Sequence, residues 1–484
     1  MNPRRTKIVA TLGPATDAPD VLDRLVSVGV DVVRLNLSHG SHEQHRTRVE
    51  EIRKRSHQKG RPIGVLMDLQ GPKIRIARFH DGPVRLNEND EFTLDTHCDP
   101  KSGDRNRVGV TFPNLAADVS RGDTLLLADG AIELLVDTVE ECRINCRVVV
   151  GGILSDGKGI NKKGGGLSAP ALTNKDRSDI SFAAAIEADF LAVSFVRNAD
   201  DVYEARHLLH EAGSRARIVA KIERADAVDA AEEIIEATDA IMIARGDLGV
   251  EIGDAELPAV QKRLIKMARS RNRVVVTATQ MMESMIEHPI PTRAEVFDVA
   301  NAVLDGTDAV MLSGETAMGR YPVKTVEAMN RVCREAEKQT EVLRSDHRLN
   351  SVFGRVDESI AMATMYTANH LAVKAIAAMT ESGSTCKWMS RISSGIPIYA
   401  LTAHESTRRR VTLFRGVYSI EFNPAGRDAL KVNQDIVIEL KKRGLVRDGD
   451  LILITKGDLN GVEGGTNVMK IVRVGDYKAP EQNT

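Results

Sequence analysis

The stretch AIMIARGDLGVEIG, residues 240–253, joins a run of apolar residues to a turn that contains Gly246, Asp247 and Gly249. An apolar run followed by glycine and an acid is typical of a buried strand that ends just before a helix. Asp247 then has three interpretations: part of an Arg-Gly-Asp adhesion tripeptide, a helix cap, or a metal-binding carboxylate at a strand end. A tripeptide match occurs often by chance, so the rest of the chain has to decide.

Similar short apolar runs recur along the chain, and a helical stretch follows most of them. The eight runs are TKIVATLG (6–13), DVVRLNLS (31–38), PIGVLMDL (62–69), FLAVSFVR (190–197), RIVAKIER (217–224), AIMIARGD (240–247), RVVVTATQ (273–280) and DAVMLSGET (308–316). Alternation of strand and helix predicts parallel strands joined by crossovers. Eight such units predict an α/β fold, a closed (β/α)8 TIM barrel. A doubly wound open sheet is the alternative.

Two further segments depart from this pattern. Residues 70–168 contain short strands and turns where a helix should follow the third strand, and their Gly- and Lys-rich return stretch, GKGINKKGGGLSAP (157–170), suits a hinge. After the barrel the chain restarts, with five strand candidates at 372–379, 397–402, 416–422, 450–455 and 467–474. We therefore predict a barrel from residues 1–69 and 169–342, an all-β, barrel-like cap domain at 70–168, and an α/β domain at 350–484.

Composition excludes several classes of function. The 484 residues carry a formal net charge of −2, which argues against a broad basic face for nucleic acid. No apolar run approaches the roughly 20 residues that cross a bilayer, and the opening MNPRRTKIVATLG lacks the apolar region of a secretory signal. Cys142 and Cys146 lack a following Cys/His pair, so reduced thiols are favoured over a zinc site. We expect a cytoplasmic protein with neither nucleic-acid nor membrane partners.

Polar residues gather where the predicted strands end, and the carboxyl ends of strands carry the chemistry of TIM barrels. They are Arg34, Asn36, Ser38, Asp68, Lys221, Glu223, Gly246, Asp247, Thr277 and Thr279. Each alone could be an ion pair, a strand residue or a helix cap, but charges at a barrel mouth are costly unless paired or used. Acids with a lysine, an arginine and a threonine suit a small anion and Mg²⁺. The residues predict a Mg²⁺-assisted enzyme acting on a small phosphorylated or carboxylated anion.

Several segments resemble the pyruvate kinase family. They are KIVATLGPAT, RLNLSHG, DLQGPKIR, ARGDLGVEIG, TATQMMESM, PTRAEVFDVANAVLDGTDAVMLSGET and GRYP, in the family's order. The resemblance runs from residue 5 to the end, and its most specific block is 277–322. It implies a TIM barrel with a β cap after strand three and a C-terminal α/β regulatory domain, in a homotetramer. It also implies phosphoryl transfer from phosphoenolpyruvate to ADP, giving pyruvate and ATP in the last step of glycolysis.

The resemblance implies roles for the residues at the strand ends. Arg34 would hold the substrate phosphate, and Lys221 would lie against the phosphoryl group in transfer. Glu223 and Asp247 would ligate Mg²⁺, with Mn²⁺ as the alternative ion. The amides around Gly246 and Asp247 would receive the substrate carboxylate. Such a transfer needs charge neutralisation and alignment, which a lysine and a metal supply.

Three more positions carry over. Thr279 matches a hydroxyl near the carbon to be protonated, and Arg75 and Lys158 of the cap match positions that hold the nucleotide phosphates. Arg224 stands where the family more often has Asn. Strand alternation turns the Arg224 side chain away from the metal, so we expect no effect from it.

The family's monovalent-cation site is nearly complete, because Asn36, Ser38 and Asp68 match its positions together with the carbonyl of residue 69. However, Lys73 stands where the K⁺-dependent pattern has Glu. An ammonium group is close to K⁺ in size and charge. We therefore expect Lys73 to replace the ion and the activity to be independent of K⁺; a solvated cap lysine is the alternative.

The segment TESGST (380–385) follows a predicted strand, so Ser382, Ser384 and Thr385 could hold the phosphate of an effector. An ordinary capped turn is the alternative. The loop KGDLNGVEGGTN (456–467) lacks the Trp of many fructose-bisphosphate-regulated relatives, and its acids would repel a second phosphate. We expect a sugar monophosphate to activate better than a bisphosphate.

Two other functions compete with this interpretation. Another barrel that handles phosphoenolpyruvate or pyruvate, such as an aldolase or a phosphate-transferring synthase, would lack a cap with Arg75 and Lys158. A non-catalytic metabolite sensor would be expected to have lost Lys221 or one of the metal carboxylates, and this chain has all three.

Overall fold

The computed structural model describes residues 3–340, 343, 352–425, 429–458 and 463–476. The predicted domain boundaries at residues 342 and 350, and the predicted outer limits at 1 and 484, lie outside the described residues. Within those residues, no helix combines the length and apolarity that a membrane crossing requires. Cys98, Cys142, Cys146, Cys333 and Cys386 are all free thiols.

The barrel and the cap contain sixteen strands. In chain order they are β1 (Lys7–Thr11), β2 (Val32–Asn36), β3 (Gly64–Asp68), β4 (Val84–Leu86), β5 (Glu91–Asp95), β6 (Arg107–Gly109), β7 (Thr124–Leu127), β8 (Ile132–Glu140), β9 (Arg143–Val150), β10 (Gly152–Leu154), β11 (Ile160–Lys162), β12 (Phe190–Val193), β13 (Arg217–Ile222), β14 (Ala240–Ala244), β15 (Val274–Ala278) and β16 (Ala309–Leu312).

The same part of the chain contains twelve α-helices and two short 3-10 helices. They are α1 (Pro19–Val28), α2 (His42–Gln58), α3 (Leu115–Asp118), α4 (Asn174–Ala185), α5 (Ala199–Glu211), α6 (Ala225–Asp229), α7 (Ala231–Ala237), α8 (Arg245–Ile252), α9 (Leu257–Ser270), α10 (Arg293–Asp305), α11 (Gly314–Ala317) and α12 (Pro322–Ala336), with 3-10 turns at Pro14–Thr16 and Glu283–Ile286.

Eight parallel strands close into a barrel in the order β1-β16-β15-β14-β13-β12-β3-β2. The TIM-barrel prediction is confirmed, and the alternative of an open doubly wound sheet is wrong. All residues of β14 and β15 are buried, as expected for strands covered on both faces. β3 pairs directly with β12, with Leu66 opposite Phe190, although 124 positions (190 − 66) separate the two residues in sequence. The cap is therefore an insertion that leaves the barrel's hydrogen bonding intact.

The cap strands form a six-stranded sheet, β11-β7-β8-β9-β5-β6, and a two-stranded sheet, β10-β4. The segment 74–77 hydrogen-bonds to both edges of the larger sheet: Ile160 N donates to Ile74 O and Thr111 N to Arg75 O, each at 2.9 Å. One short helix, α3, lies inside the segment predicted to be all β. In the predicted hinge, Gly164, Gly165 and Gly166 have φ between 79° and 88°, a conformation that other residues rarely adopt.

The C-terminal domain contains α13 (Val356–His370), β17 (Ala375–Met379), α14 (Ser384–Ser390), β18 (Ile398–Thr402), α15 (Glu405–Arg410), a 3-10 turn (Val411–Leu413), β19 (Val417–Glu421), α16 (Ala429–Lys442), β20 (Leu451–Gly457) and β21 (Thr466–Arg473). Its sheet has the order β19-β18-β17-β20-β21, with only β21 antiparallel to its neighbour among the described strands. The domain packs against the amino-terminal face of the barrel, where Lys7 Nζ of β1 donates to Val417 O at 2.6 Å. It lies opposite the face that carries the predicted active site.

Candidate active site

The site centres on Asp68, a fully buried carboxylate at the end of β3. Arg34 Nε lies 2.5 Å from Asp68 Oδ2, and Lys221 Nζ lies 3.2 Å from Asp68 Oδ1. Burial alone would raise the pKa of Asp68, but the Arg34 guanidinium and the Lys221 ammonium reverse this and hold it below the ordinary value. Strands β2, β3 and β13 therefore supply an ionised carboxylate with two cations beside it.

Lys221 is also held by Glu223 and by a serine that sequence reasoning missed. Lys221 Nζ lies 2.8 Å from Glu223 Oε1 and donates to Ser194 Oγ at 2.6 Å. Burial would lower the pKa of Lys221, but Asp68 and Glu223 raise it instead. The lysine is thus a fixed positive charge. A polar Ser194 in the run FLAVSFVR was the sequence signal for this contact.

Glu223 follows β13, which ends at Ile222 and not at Glu223 as predicted, and its side chain is almost fully buried. Its Oε2 accepts a hydrogen bond from Phe195 N at 2.8 Å, and Phe195 has a φ of 54°. Burial raises the pKa of Glu223; the Lys221 ammonium opposes the shift and the Asp247 carboxylate adds to it. The two predicted metal carboxylates are therefore close enough to repel each other.

Asp247 lies in the first turn of α8, because β14 ends at Ala244 and not at Asp247 as predicted. No side-chain cap hydrogen bond is found at this helix start, and Arg245 is only 6% exposed and paired with Asp298. The adhesion and helix-cap interpretations of the opening stretch are therefore wrong. Gly246 has no left-handed φ, and a Cβ there would make ordinary contact with Thr279 Oγ1 at 3.6 Å.

Thr279 follows β15 and, like Gln280 after it, has a left-handed backbone conformation. Its φ is 62°, rare for a β-branched residue, and its Oγ1 accepts from Gly246 N at 2.8 Å. Arg245, which sequence reasoning did not assign, donates to Thr279 O at 2.8 Å and to Gln280 O at 3.0 Å. The strained turn is therefore held by a buried guanidinium.

The Lys73 side chain does not lie at the monovalent-cation position that we expected from the sequence. Its Nζ lies 3.0 Å from Asp247 Oδ1 and 3.6 Å from Asp129 Oδ1 of the cap. Burial would lower the pKa of Lys73, but Asp247 reverses the effect and raises it. The prediction that Lys73 replaces a monovalent ion among Asn36, Ser38 and Asp68 is wrong for this structure. The Lys73 ammonium lies against Asp247, one of the two predicted metal ligands, instead.

The monovalent-site positions make other contacts. Asn36 Oδ1 accepts from Ser38 N at 3.1 Å, and Asp68 is shared by Arg34 and Lys221 as described above. Lys175 Nζ, from α4, donates to Leu37 O at 2.7 Å. Among the described residues, these contacts place the Lys175 ammonium on the Leu37 carbonyl and place no lysine or arginine on the side chain of Asn36 or Ser38.

The two cap residues predicted to meet the nucleotide lie near each other. Arg75 forms a backbone bridge with Gly159, next to the exposed Lys158, and Arg75 Nη1 donates to Gly157 O at 2.8 Å. Arg224 pairs with Asp226 at 2.6 Å and donates to Leu167 O, away from Glu223. Both arrangements agree with the sequence expectations, while contact with a nucleotide stays a prediction.

The predicted effector loop connects β17 to α14. Ser382 Oγ lies 2.9 Å from Ser384 Oγ, whereas Thr385 is buried with its Oγ1 2.7 Å from Thr466 Oγ1. Thr385 therefore serves the contact between α14 and β21 and does not present its hydroxyl to a ligand. Residues 459–462 of the predicted loop 456–467 lie outside the described residues.

The donor set fits Mg²⁺ bound together with a substrate. No cluster of three or more His, Cys, Asp or Glu side chains suited to a metal is found in the part of the chain that the structure describes. Glu223 and Asp247 would supply two carboxylates, and their mutual repulsion is what a divalent cation relieves. Mg²⁺ commonly binds through one or two carboxylates and completes its shell with water and substrate oxygens.

The fold and site define a class: a TIM-barrel protein whose strand ends carry the cations and carboxylates that suit a small anion and a divalent metal. Comparison with known proteins identifies the family within this class. Residues 3–326 match the family model "Pyruvate kinase, barrel domain" and residues 358–472 match "Pyruvate kinase, alpha/beta domain". The chain belongs to the pyruvate kinase family, and is a phosphotransferase.

Individual relatives agree with this assignment. The chain is 53% identical to pyruvate kinase II of Salmonella typhimurium, over 97% of this chain and 99% of that one. It is 52% identical to the pyruvate kinase of Buchnera aphidicola from Schizaphis graminum, over 97% and 98%. A crystal structure of a Cryptosporidium parvum pyruvate kinase superimposes with a TM-score of 0.91, at 34% identity, over 97% of this chain and 96% of that one.

Proposed function

We propose that this chain transfers the phosphoryl group of phosphoenolpyruvate to ADP, giving pyruvate and ATP. The observation that carries the proposal is the Lys221 ammonium, fixed within 3.2 Å of Asp68 and 2.8 Å of Glu223 beside the Arg34 guanidinium. Carboxylates therefore hold two cations, Arg34 and Lys221, in fixed positions beside the two predicted metal ligands. Fixed charges aimed at a transferring phosphoryl group are what this reaction needs from a protein.

Each residue contributes through its position. Arg34 binds the substrate phosphate, with its Nη1 oriented by Thr11 Oγ1 at 3.0 Å. Lys221 neutralises charge on the phosphoryl group as it leaves the enol oxygen. Glu223 and Asp247 would hold Mg²⁺, which supplies Lewis-acid charge to substrate oxygens when bound. The backbone amides in the first turn of α8 bind the substrate carboxylate.

Three further residues act on the enolate that remains after phosphoryl transfer and on the second substrate, ADP. The Thr279 hydroxyl orients the proton donor toward the enolate carbon. Arg75 and Lys158 bind the ADP phosphates from the cap, which closes over the barrel about its glycine hinge and excludes water. Asn161 Nδ2 of the hinge donates to Glu251 Oε1 of α8 at 3.2 Å, so cap closure acts on the helix that carries Asp247.

We also propose activation by a sugar monophosphate at Ser382 and Ser384, independence from K⁺, and a cytoplasmic homotetramer. The open pair of serine hydroxyls supports the effector site, and the acids of the neighbouring loop disfavour a second phosphate. The extra positive charge of Lys73 beside Asp247 supports K⁺ independence.

One coupled assay tests the proposed reaction. Phosphoenolpyruvate and ADP are supplied with and without Mg²⁺, and pyruvate and ATP are measured. We expect equimolar products that require the metal. Pyruvate released without ATP, or condensation of phosphoenolpyruvate with an aldehyde, would favour a different barrel enzyme.

A further inference from the structure

Glu251 is a buried carboxylate of α8 that neither binds the metal nor contacts a substrate in the proposed reaction. Its two oxygen atoms bind different parts of the chain: Oε2 accepts a hydrogen bond from Ala225 N at 2.9 Å, and Oε1 accepts one from Asn161 Nδ2 of the cap at 3.2 Å. Glu251 and Asn161 are only 4% and 5% exposed. A buried carboxylate is costly unless its oxygen atoms have donors, so both contacts stabilise its position.

The two barrel segments that Glu251 joins carry the two predicted metal ligands. Glu251 is four residues after Asp247 in α8, so about one turn of helix separates them. Ala225 begins α6 and is two residues after Glu223. The Glu251 carboxylate therefore fixes the distance between α8 and the start of α6. With it, the contact fixes the distance between the two carboxylates that would share Mg²⁺.

The hinge of the cap lies between the same two segments. Gly164 N donates to Glu251 O at 3.0 Å. Gly165 follows with a φ of 79°, and a Cβ atom built on it would lie 3.3 Å from Ala225 Cβ and 3.5 Å from Glu251 Oε2. The hinge backbone therefore runs so close to α6 and α8 that glycine is favoured there. A change in the path of the hinge would displace both helices.

The other charges near Glu251 are paired with each other. Arg224 Nη2 lies 2.6 Å from Asp226 Oδ2, and it also donates to Leu167 O of the hinge at 2.6 Å. Burial raises the pKa of Glu251, and the hydrogen bonds that it accepts oppose this; Arg224 lowers that pKa and Asp226 raises it. Within the described part of the chain, Asn161 is the one side chain that donates a hydrogen bond to Glu251.

We propose that Glu251 is a positioning residue that couples the position of the cap to the affinity of the metal site. The Asn161–Glu251 hydrogen bond holds α8 at the distance from α6 that lets both predicted ligands bind one cation. This bond exists only while β11 lies against α8. The inference rests on the metal site and the cap closure proposed above, and it names the contact through which one acts on the other.

Such a coupling is reciprocal, because two linked binding events change each other's affinity by the same factor. A cation that binds both ligands favours the arrangement of α6 and α8 in which Glu251 meets Asn161. Metal binding therefore favours the cap position in which this contact is made. ADP, which Arg75 and Lys158 of the cap would hold, should then bind more tightly to the metal-loaded enzyme.

Exchanging the amide and the carboxylate tests the coupling. In Asn161→Asp two carboxylates face each other, so the contact is broken. Adding Glu251→Gln reverses the pair and restores both a hydrogen bond and the wild-type net charge. We expect the Mn²⁺ affinity of Asn161→Asp at about pH 8, where carboxylates are ionised, to fall about 10-fold or more. The double variant should stay within about 3-fold of the wild type.

The sign of the effect separates displacement of the ligands from a change in the local field. The added negative charge of Asn161→Asp would by itself attract a cation, so weaker binding shows that the ligands have moved. Asn145→Asp is the matched control, because Asn145 lies in the same sheet of the cap and its Nδ2 donates to Thr138 Oγ1 at 3.1 Å. It should bind Mn²⁺ as the wild type does.

Unchanged or tighter Mn²⁺ binding in Asn161→Asp would overturn the coupling, and so would a double variant that binds as weakly as the single one. A contact that only stabilises the fold would lower the melting temperature and leave the Mn²⁺ affinity of the folded protein unchanged. Asn161→Leu removes the donor without adding charge and is the second variant, should Asn161→Asp fail to fold; wild-type affinity there would refute the coupling.

These outcomes differ from a failure of the proposed function. If the wild type does not bind Mn²⁺, the metal site is refuted and the coupling with it. If the wild type binds Mn²⁺ and forms pyruvate and ATP while Asn161→Asp binds the metal normally, the coupling alone is refuted.

Discussion

The Arg245 guanidinium donates to the carbonyl oxygen of Thr279 at 2.8 Å and holds a threonine whose φ is 62°. The same guanidinium pairs with Asp298 of α10 at 2.7 Å. A left-handed β-branched residue costs of order 1–3 kcal/mol and persists only where its surroundings impose it. Arg245, which precedes Gly246 and Asp247, thus holds the turn that follows β15 and orients the Thr279 hydroxyl at the site.

We predict that Arg245→Lys reduces the protonation step more than phosphoryl transfer. A lysine keeps the charge but loses the planar fork that reaches two carbonyls and Asp298 together. Proton exchange into pyruvate should fall about 10-fold or more, with the KM for phosphoenolpyruvate nearly unchanged. Thr279→Val is the comparison variant. Normal exchange in Arg245→Lys alongside a large loss in Thr279→Val would contradict the positioning role.

Lys221→Met should abolish phosphoryl transfer while leaving proton exchange into added pyruvate. The two metal carboxylates survive in this variant, whereas the charge that faces the phosphoryl group is removed. A charge used only in the transition state is worth roughly 10²–10³-fold in rate. Asp247→Ala is the control and should lose both reactions. If exchange disappears in Lys221→Met with Mg²⁺ bound, the division of roles is wrong.

Periodicity could predict the barrel because buried parallel strands leave continuous apolar runs, and charged residues at their ends stand out. It misplaced the end of β14 by three residues, since Arg245, Gly246 and Asp247 can continue a strand or begin a helix equally well. Lys73 could not be placed, because its direction depends on how the cap sits over α8. Ser194 and Arg245 were missed for the same reason: their partners lie on other strands and loops.

As the pH falls, metal binding should be lost at a higher pH than at a site with an ordinary glutamate. Burial raises the pKa of Glu223 above its usual value of about 4.3, and a protonated carboxyl group cannot ligate a cation. Binding is therefore complete above the raised pKa and is lost as pH falls through it. Mn²⁺ titrations at successively lower pH, continued until binding is lost, measure this. Loss of affinity only in the range of an ordinary glutamate would show that Glu223 is not a ligand with this shift.

Arg391→Ala should strongly destabilise the contact between the two large domains. Arg391 follows α14 and is almost fully buried, with its Nη1 2.8 Å from Asp308 Oδ2 and 2.5 Å from Arg273 O of the barrel. Removing one partner of a buried ion pair costs about 3–5 kcal/mol. Arg443→Ala, which breaks a partly exposed pair with Glu439 on α16, should cost about 0.5 kcal/mol or less. Chemical denaturation of both variants checks the difference, and similar costs would contradict it.

The last prediction concerns potassium and the Lys73 ammonium, 3.0 Å from Asp247 and about a quarter exposed. A cation here reduces the need for a monovalent ion near the substrate, because it already adds positive charge to that side of the site. Wild-type enzyme in tetramethylammonium buffer should be fully active. Lys73→Glu, which reverses the charge, should become K⁺-dependent. The neutral Lys73→Met should bind Mn²⁺ about 2–5-fold more tightly. The lysine then no longer competes for Asp247, and a partly exposed ion pair is worth up to about 1 kcal/mol. Rates with and without KCl measure the first two effects and Mn²⁺ titration the third. A many-fold rise in the wild-type rate on adding KCl would refute the independence, and unchanged Mn²⁺ affinity in Lys73→Met would show that the ammonium does not compete for Asp247.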